Sequence, residues 1–510
     1  MSVRLNLKNS LRNVVFGIIA KFLQLFLPFV VRTIVIYRLG IEYAGIGSLF
    51  VSIFNIFNLT ELGIGAALNY VMYKPVAEND AKTLNAIINV YSRWYRNIGL
   101  IICGLGVLFT PFIGILLPTG FPIDLNFELL YFIYFVSMVA PYFIKPYSVA
   151  VLSVHQREDL ISKIASITII VQSVLQILAI WFLNSYYYFA IAIVVMSLLN
   201  SVMLYVCYKR YYPQYKCEGE ISGNLMETIK KDVRALIMHK IGGTVLFSAD
   251  NIVISKLLGQ VMLGIYGNYY LIISSLAGFI DMILNSFRAS VGNSLVIENA
   301  EENYDRFKRF YFWDITLLGV CTSVLLCTFQ RFMVLWVGDK DVLQFKTMVL
   351  ICILFYVMRM EDVVGMYRTA LGLWDEDKWR PIISSICNIG INIGLTLRIG
   401  IDGVIISSVI CLIVFHHTNT ARILHRCYFQ RSSSRYYLNH IKFDLINGIA
   451  IWVSCIACNL GIKSDGIRGV VMCALLSASV SACVIYLFHI RNNYWREFWT
   501  IVWKKGKDRW

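Results

Sequence analysis

The sequence predicts an all-α polytopic membrane protein. It has about fourteen transmembrane helices, in two six-helix repeats around a central cavity, plus two C-terminal helices. Three observations lead there. Hydrophobic side chains make up 58% of the 510 residues and charged ones only 15%, where a soluble domain carries about a quarter. Apolar runs of about 20 residues or more recur along the chain, each long enough to cross the hydrocarbon core. One pattern of residues also occurs twice, at a constant offset of 219 positions.

The repeat is clearest in Thr33–Gly47 (TIVIYRLGIEYAGIG) and Asp250–Gly267 (DNIVISKLLGQVMLGIYG). Leu39-Gly40 matches Leu258-Gly259, and Gly45-Ile46 matches Gly264-Ile265. The same offset links Lys21 to Lys240, each a lone lysine in an apolar helix. It also relates the polar breaks SVHQRED (Ser153–Asp159) and GLWDEDK (Gly372–Lys378). Matching at one spacing over so long a stretch marks two copies of one unit.

The first apolar run continues through Leu39, too long for the core of a signal peptide, so it is a retained helix. Five more spans follow at about 43–72, 98–117, 127–151, 160–183 and 187–208. The second unit supplies spans at about 233–258, 263–294, 311–337, 343–371, 380–398 and 401–424. Two more lie at about 442–461 and 467–490. The expected divisions are an N-terminal six-helix lobe (1–212), a cytoplasmic linker (213–232), a C-terminal six-helix lobe (233–438), two additional transmembrane helices (439–490) and a basic tail (491–510).

Lysine and arginine set the orientation. With the N-terminus inside, the inside segments hold clusters such as Lys209, Arg210 and Lys216, or Arg422, Arg426, Arg431 and Arg435. The opposite loops hold fewer (Arg38, Lys256, Arg331, Lys340, Lys346, Arg398, Lys463 and Arg468), so both termini are expected to face the cytoplasm. The net charge of +15 reads as this bias rather than as a nucleic-acid footprint. Tyr and Trp near run ends, as at Trp94-Tyr95 and Tyr186-Tyr187-Tyr188, suit an interfacial belt. Six helices per unit is an even number, which relates the units by an axis along the membrane normal.

Ionisable side chains at bilayer depth are costly unless they face a partner or a wet cavity. Lys21 and Arg32 are eleven residues apart, about 20° around an ideal helix, and share a face. Lys240 and Asn251 repeat that spacing, and pseudo-symmetry aims both lysines at the boundary between units. Asp281, Asn285 and Arg288 form a stripe at i, i+4 and i+7. Glu361 and Asp362 follow Arg359 in the tenth span, Glu61 lies in the second, and Asp250 opens the repeated segment. Each residue has a structural reading as an ion pair or snorkelling side chain. The functional reading makes Lys21, Arg32, Lys240, Asn251 and Arg288 the substrate-binding set, because a phosphate or pyrophosphate is matched by several convergent cations. Asp250, Asp281, Glu61, Glu361 and Asp362 are then counter-ions or sites for a coupling proton or sodium ion.

Other chemistry is poorly supported. The sequence has no Walker loop and no metal-spaced histidine cluster, and His416-His417 point about 100° apart on a helix. Cys455 and Cys458 have CxxC spacing, but in an apolar helix without a second ligand pair; packing explains them better. The outer loops are short, which leaves little room for an extramembrane active site, so neither an enzyme nor a catalytic or metal site is expected.

Several segments resemble the polysaccharide transporters, the Wzx-type lipid-linked oligosaccharide flippases. They are ELGIGAALNYVMYKPVAEND (Glu61–Asp80), ADNIVISKLLG followed by GIYGNYYLI (Ala249–Ile272), ASVGN (Ala289–Asn293), VLWVGD (Val334–Asp339), YRTALGLWDEDKWRPII (Tyr367–Ile383) and GIDGVIISSVI (Gly400–Ile410). The resemblance runs in order along essentially the whole chain. That family belongs to the multidrug/oligosaccharidyl-lipid/polysaccharide (MOP) exporter superfamily. The resemblance implies six plus six helices around a V-shaped cavity, with two more. The implied substrate is an undecaprenyl-pyrophosphate-linked oligosaccharide, moved from the cytoplasmic to the outer leaflet of the bacterial plasma (inner) membrane for O-antigen, capsule or other surface polysaccharide. The implied partners are membrane lipids, a polysaccharide polymerase and a chain-length regulator, with no nucleic acid. No cofactor is implied beyond a coupling H+ or Na+. Lys145 between Pro141 and Pro146 departs from the family pattern. The nearest rival, a multidrug or small-molecule exporter of the same fold, would need an acidic lumen for cations, whereas the intramembrane set here is basic.

Overall fold

The computed structural model describes residues 3–57, 64–221, 223, 226, 227, 229, 230, 248–373 and 375–495. Among these residues every regular element is a helix. The chain divides into two compact units, Met1–Asn268 with Lys378–Ile393, and Tyr269–Asp377 with Gly394–Trp510.

The first unit begins with α1 (Val3–Arg38), which turns at Gly40 into α2 (Ile41–Phe57). α3 (Ile64–Glu78) ends at a left-handed Asn79, and Asp80 caps α4 (Ala81–Phe109) by accepting from the Thr83 amide at 3.0 Å. The Thr83 hydrogen bonds hold the Asp80 carboxyl below its ordinary range. Asn126 caps α5 (Phe127–Phe143) in the same way, accepting from the Leu129 amide. α6 (Tyr147–Val154), α7 (Glu158–Leu183) and α8 (Tyr186–Tyr211) follow, with α7 stopping at a left-handed Asn184. α1 lies along α7, α7 and α5 each pack on α8, and α4 packs on α5.

Helical residues 248–258 (α9) lead through Gly259 into α10 (Gln260–Ile297), whose first turns belong to the first unit. There the repeated glycines meet. A Cβ on Gly45 would lie 2.7 Å from Gln260 Nε2 and 3.0 Å from the Gly264 amide, and one on Gly264 would collide with the Ile41 carbonyl oxygen. Only hydrogen side chains let the backbones of α2 and α10 approach so closely.

The polar break Ser153–Asp159 is a fastening. Asp159, fully buried, pairs with Arg12 of α1 at 2.9 Å, Arg157 at 3.0 Å and Lys163 at 3.6 Å. Asn13 clasps the same turn, accepting from the Asp159 amide and donating to the Gln156 carbonyl. One buried carboxylate thus fixes the start of α1 to the α6–α7 corner.

In the second unit α11 (Ala300–Val337) is central. It opens with an Asn299/Glu302 capping box and packs against α12 (Phe345–Arg359), α13 (Asp362–Leu371), α17 (Ser434–Gly461) and α18 (Gly466–Phe488). α14 (Arg380–Ile399) passes from the first unit to the second. α15 (Ile401–Cys411) widens into a π-helical turn, Leu412–His417, before α16 (Thr418–Cys427). The second polar break, Gly372–Lys378, also carries a lock, since buried Arg368 pairs with Asp377 and donates to the Leu373 carbonyl at 2.8 Å.

Among the described residues ten helices are long and apolar enough to span a membrane, or eleven if the bent α5/α6 pair is one span. This is a multi-pass membrane protein, though the count falls short of the fourteen expected. Counted from ten, the difference lies in four places. The expected span 43–72 is two helices, α2 and α3, with residues 58–63 outside the described set. Most of 233–258 is likewise outside it. The span expected at 343–371 is broken at Met360-Glu361 into α12 and α13. The span expected at 127–151 is also not continuous. It bends by 56° between α5 and α6, where Pro141 and Pro146 each remove a backbone donor.

The glycine crossing yields a direct prediction. Gly264→Ala should destabilise the detergent-purified protein by about 1–3 kcal/mol through overpacking, seen as a lower thermal midpoint. Gly104→Ala, where nothing lies within 4 Å, should leave the midpoint unchanged or raise it. Equal effects of the two would remove the crossing from the account.

Candidate functional site

The intramembrane charges fall into two groups, one in each unit. In the first, Arg32 of α1 is the centre. Its Nε donates to Asn268 Oδ1 at 2.5 Å, Nη1 to the Ala44 carbonyl at 3.0 Å and Nη2 to the Gly264 carbonyl at 3.0 Å. The planar fork of the guanidinium suits three divergent acceptors, and the result is a clasp on the α2–α10 crossing. Its repeat mate Asn251 donates to Ser52 Oγ on α2 at 2.8 Å. Asp250, buried, accepts from Asn392 Nδ2 of α14 at 2.6 Å. The pair expected to bind substrate therefore also holds helices together. Lys21 sits half-buried two turns and more from the clasp, with no ion pair among the described residues. Lys240 and Glu61 lie outside the described residues.

The second group is a polar hub inside the second unit. Arg359, at the end of α12, bridges Asp281 of α10 at 2.7 Å and Asp362 of α13 at 2.6 Å. Buried Asp314 of α11 lies within electrostatic reach of the same guanidinium. Glu361, in the break before α13, faces His417 Nδ1 at 3.6 Å. His417 stacks near His440 of α17 with ring centroids 4.4 Å apart, and His440 Nε2 lies 3.5 Å from Asp444 Oδ2. Tyr356 donates to Asp444 at 2.7 Å, Asn447 donates to Tyr356 Oη, and Tyr311 hydrogen-bonds His440 Nδ1. Asn285 and Arg288 lie exposed along α10 beyond Asp281.

The hub brings together Asp281, Glu361 and Asp362 of the expected set. It adds His417, His440, Asp444 and Asp314, to which the sequence reading gave no role. A signal for two of them existed: His440 and Asp444 recur with Asn447 at i, i+4 and i+7 in α17, one polar stripe on an apolar helix. The hub's ionisable side chains are Asp281, Asp314, Glu361, Asp362 and Asp444, with Arg359 as the fixed cation and two imidazoles. Carboxylates thus outnumber the fixed cation in the hub. The π turn places His417 beside Glu361, as single π turns often do at functional sites. Among the described residues no group of three or more His, Cys, Asp or Glu is arranged to hold a metal ion.

The fold is similar to those of solved membrane transporters. The lipid II flippase MurJ in an inward closed conformation is 16% identical, with a TM-score of 0.65 over 94% of this chain and 99% of that one. An inward-facing multidrug resistance MATE family transporter of the MOP superfamily is 14% identical, with a TM-score of 0.54 over 78% of this chain and 94% of that one. A MOP superfamily transporter from Pyrococcus furiosus, described as having a binding pocket of reverse polarity, is 15% identical with a TM-score of 0.52, covering 83% of this chain and 97% of that one. No curated protein matches the chain in sequence. The profile of one family, described as polysaccharide biosynthesis protein, does match, over residues 10–288. That is more than half of the chain, and the chain belongs to this family.

The hub ranks its own substitutions. Arg359→Gln leaves buried Asp362 without its cation and should cost about 3–5 kcal/mol. Asp281→Asn, on the exposed side of the bridge, should cost less than about 1 kcal/mol. Adding Asp362→Asn to Arg359→Gln should recover part of the loss in thermal midpoint. No recovery would mean that Asp362 is not the carboxylate that Arg359 neutralises.

Proposed function

We propose that this protein is a flippase. It carries undecaprenyl-pyrophosphate-linked oligosaccharide repeat units from the cytoplasmic to the outer leaflet of the bacterial plasma membrane by alternating access. The product feeds surface polysaccharide synthesis, as O-antigen, capsule or exopolysaccharide, and both termini are cytoplasmic. The observation that carries this reading is membership of the polysaccharide biosynthesis family by a chain with intramembrane cations.

The physical problem explains why such residues are needed. A pyrophosphate bearing sugars cannot enter hydrocarbon unaided, since transferring its charges out of water costs far more than lipid contacts return. Cations along the path replace lost hydration with charge-assisted hydrogen bonds. Lys21, Lys240 and Arg288 take that role, while Arg32 and Asn251 hold the helices that carry them. The polyprenyl tail stays in lipid throughout. Tight anion binding would trap the cargo, so release needs an input of free energy, and Asp250 or the carboxylates of the second-unit hub bind the coupling H+ or Na+. The polymerase and chain-length regulator that use the product are the expected partners.

The test is complementation of a strain lacking its own flippase and supplied with a matched donor glycan. Surface polysaccharide should return with the wild-type chain and fall at least about tenfold with Lys21→Ala, Lys240→Ala or Arg288→Ala at matched protein level. Loss of the protein itself in those variants would make them structural. Drug resistance without polysaccharide rescue would replace the flippase with an exporter.

A further inference from the structure

The break between α5 and α6 opens a cavity of about 440 Å³ inside the first unit, within the size range of small-ligand sites. Neither the clasp nor the hub uses it. Its walls are polar for an apolar bundle. α4 contributes Tyr91 and Tyr95, α5 contributes Tyr142, the break contributes Lys145, and α8 contributes Asn200 and Ser201.

The backbone shows that the break is built. Pro141 cannot donate to the Ser137 carbonyl, and Ser197 of α8 donates there instead at 2.8 Å. Past the break, the Lys145 carbonyl accepts from the Ser148 amide at 3.0 Å and the Ser148 hydroxyl at 2.8 Å. Lys145 itself is left-handed, with φ of 45°. A lysine has no local means of favouring that conformation, and glycine would adopt it without strain. Irregular backbone at membrane depth is tolerated where it lines a polar cavity. A strained, charged residue there, with apolar helix on both sides, points to a use for the ammonium group.

The walls define what fits. Tyr91 and Tyr95 stack with centroids 4.5 Å apart, and Tyr142 stacks beyond Tyr95 at 5.9 Å. Aromatic surfaces suit the apolar face of a pyranose ring, and hydroxyl and amide groups suit its hydroxyls. Asn200 Oδ1 already accepts from Thr168, which leaves its amide nitrogen to donate. Lys145 adds one cation, the partner for one carboxylate.

We propose that this cavity is a saccharide subsite for an acidic sugar, a uronate-type pyranose whose carboxylate pairs with Lys145 and whose hydroxyls meet Asn200 and Ser201. This rests on the reading that the cargo is a glycan, and it narrows the cargo to one with an acidic residue. The probes are methyl β-glucuronide and methyl β-glucoside, read by saturation-transfer NMR against the full-length protein in nanodiscs. The wild type should transfer saturation to glucuronide ring protons and bind that sugar about tenfold more tightly than the glucoside, the scale of one lost charge-assisted hydrogen bond. Lys145→Gly keeps the left-handed backbone and removes the whole side chain with its charge, so it should fold with an unchanged or higher thermal midpoint and lose that preference. Lys145→Arg should keep it, and Asn200→Ala should weaken both sugars. Glucuronide binding unchanged in Lys145→Gly, or no transfer to either sugar, would reduce the cavity to a water-filled kink. Polysaccharide rescue separates the two proposals. Rescue with no sugar binding removes the subsite alone, whereas sugar binding without rescue by any donor glycan removes the flippase reading alone.

Discussion

The crossing of α2 with the first turns of α10 is the contact on which the first unit depends. Gly45 and Gly264 are repeat mates, and in the structure they lie against one another. The duplicated Gly-Ile motif thus meets its own copy within the first unit. Arg32 then ties the crossing with donors to Ala44, Gly264 and Asn268. The clasp has no duplicate, because the position equivalent to Arg32 holds Asn251, which reaches Ser52 instead.

Elsewhere polarity concentrates where helices are interrupted. Asp159 gathers three cations at the α6–α7 corner, and Arg359, Glu361 and Asp362 flank the α12–α13 break. His417 sits in the π turn, and Lys145 in the α5–α6 break. The common cause is backbone accounting: an interrupted helix leaves amides and carbonyls that lipid cannot satisfy, so breaks must sit in polar surroundings. A transporter needs such surroundings to hold charged cargo and ions. Helix interruptions and polar side chains therefore fall at the same positions.

Much of this was legible in the sequence. The all-helical membrane fold followed from apolar runs, and the family followed from ordered motifs. The offset of 219 residues located both the glycine crossing and the polar breaks that became ion-pair locks. The span at 343–371 misled because α12 and α13 are both apolar and the break has neither Pro nor Gly, only charge. At 127–151 the two prolines were visible, but a proline can kink a span or break it, and sequence alone does not separate these. The hub was half visible. Carboxylates in apolar runs stand out, but bringing His440 beside His417 and Asp444 within reach of Tyr356 depends on how α17 packs, a tertiary fact. Arg32 was recognised as unusual from its depth, yet its acceptors are two carbonyls and an amide, and no pattern of side chains announces a carbonyl.

The most direct test of the account is translocation by the purified protein in liposomes. A fluorescent undecaprenyl-pyrophosphate glycan would be placed in the inner leaflet, and its arrival outside read by an impermeant quencher. The account predicts transfer by the wild type, faster with an imposed proton or sodium gradient. It predicts at least about tenfold slower transfer by Lys21→Ala at equal incorporation. Transfer no faster than in protein-free liposomes, with or without a gradient, would contradict it.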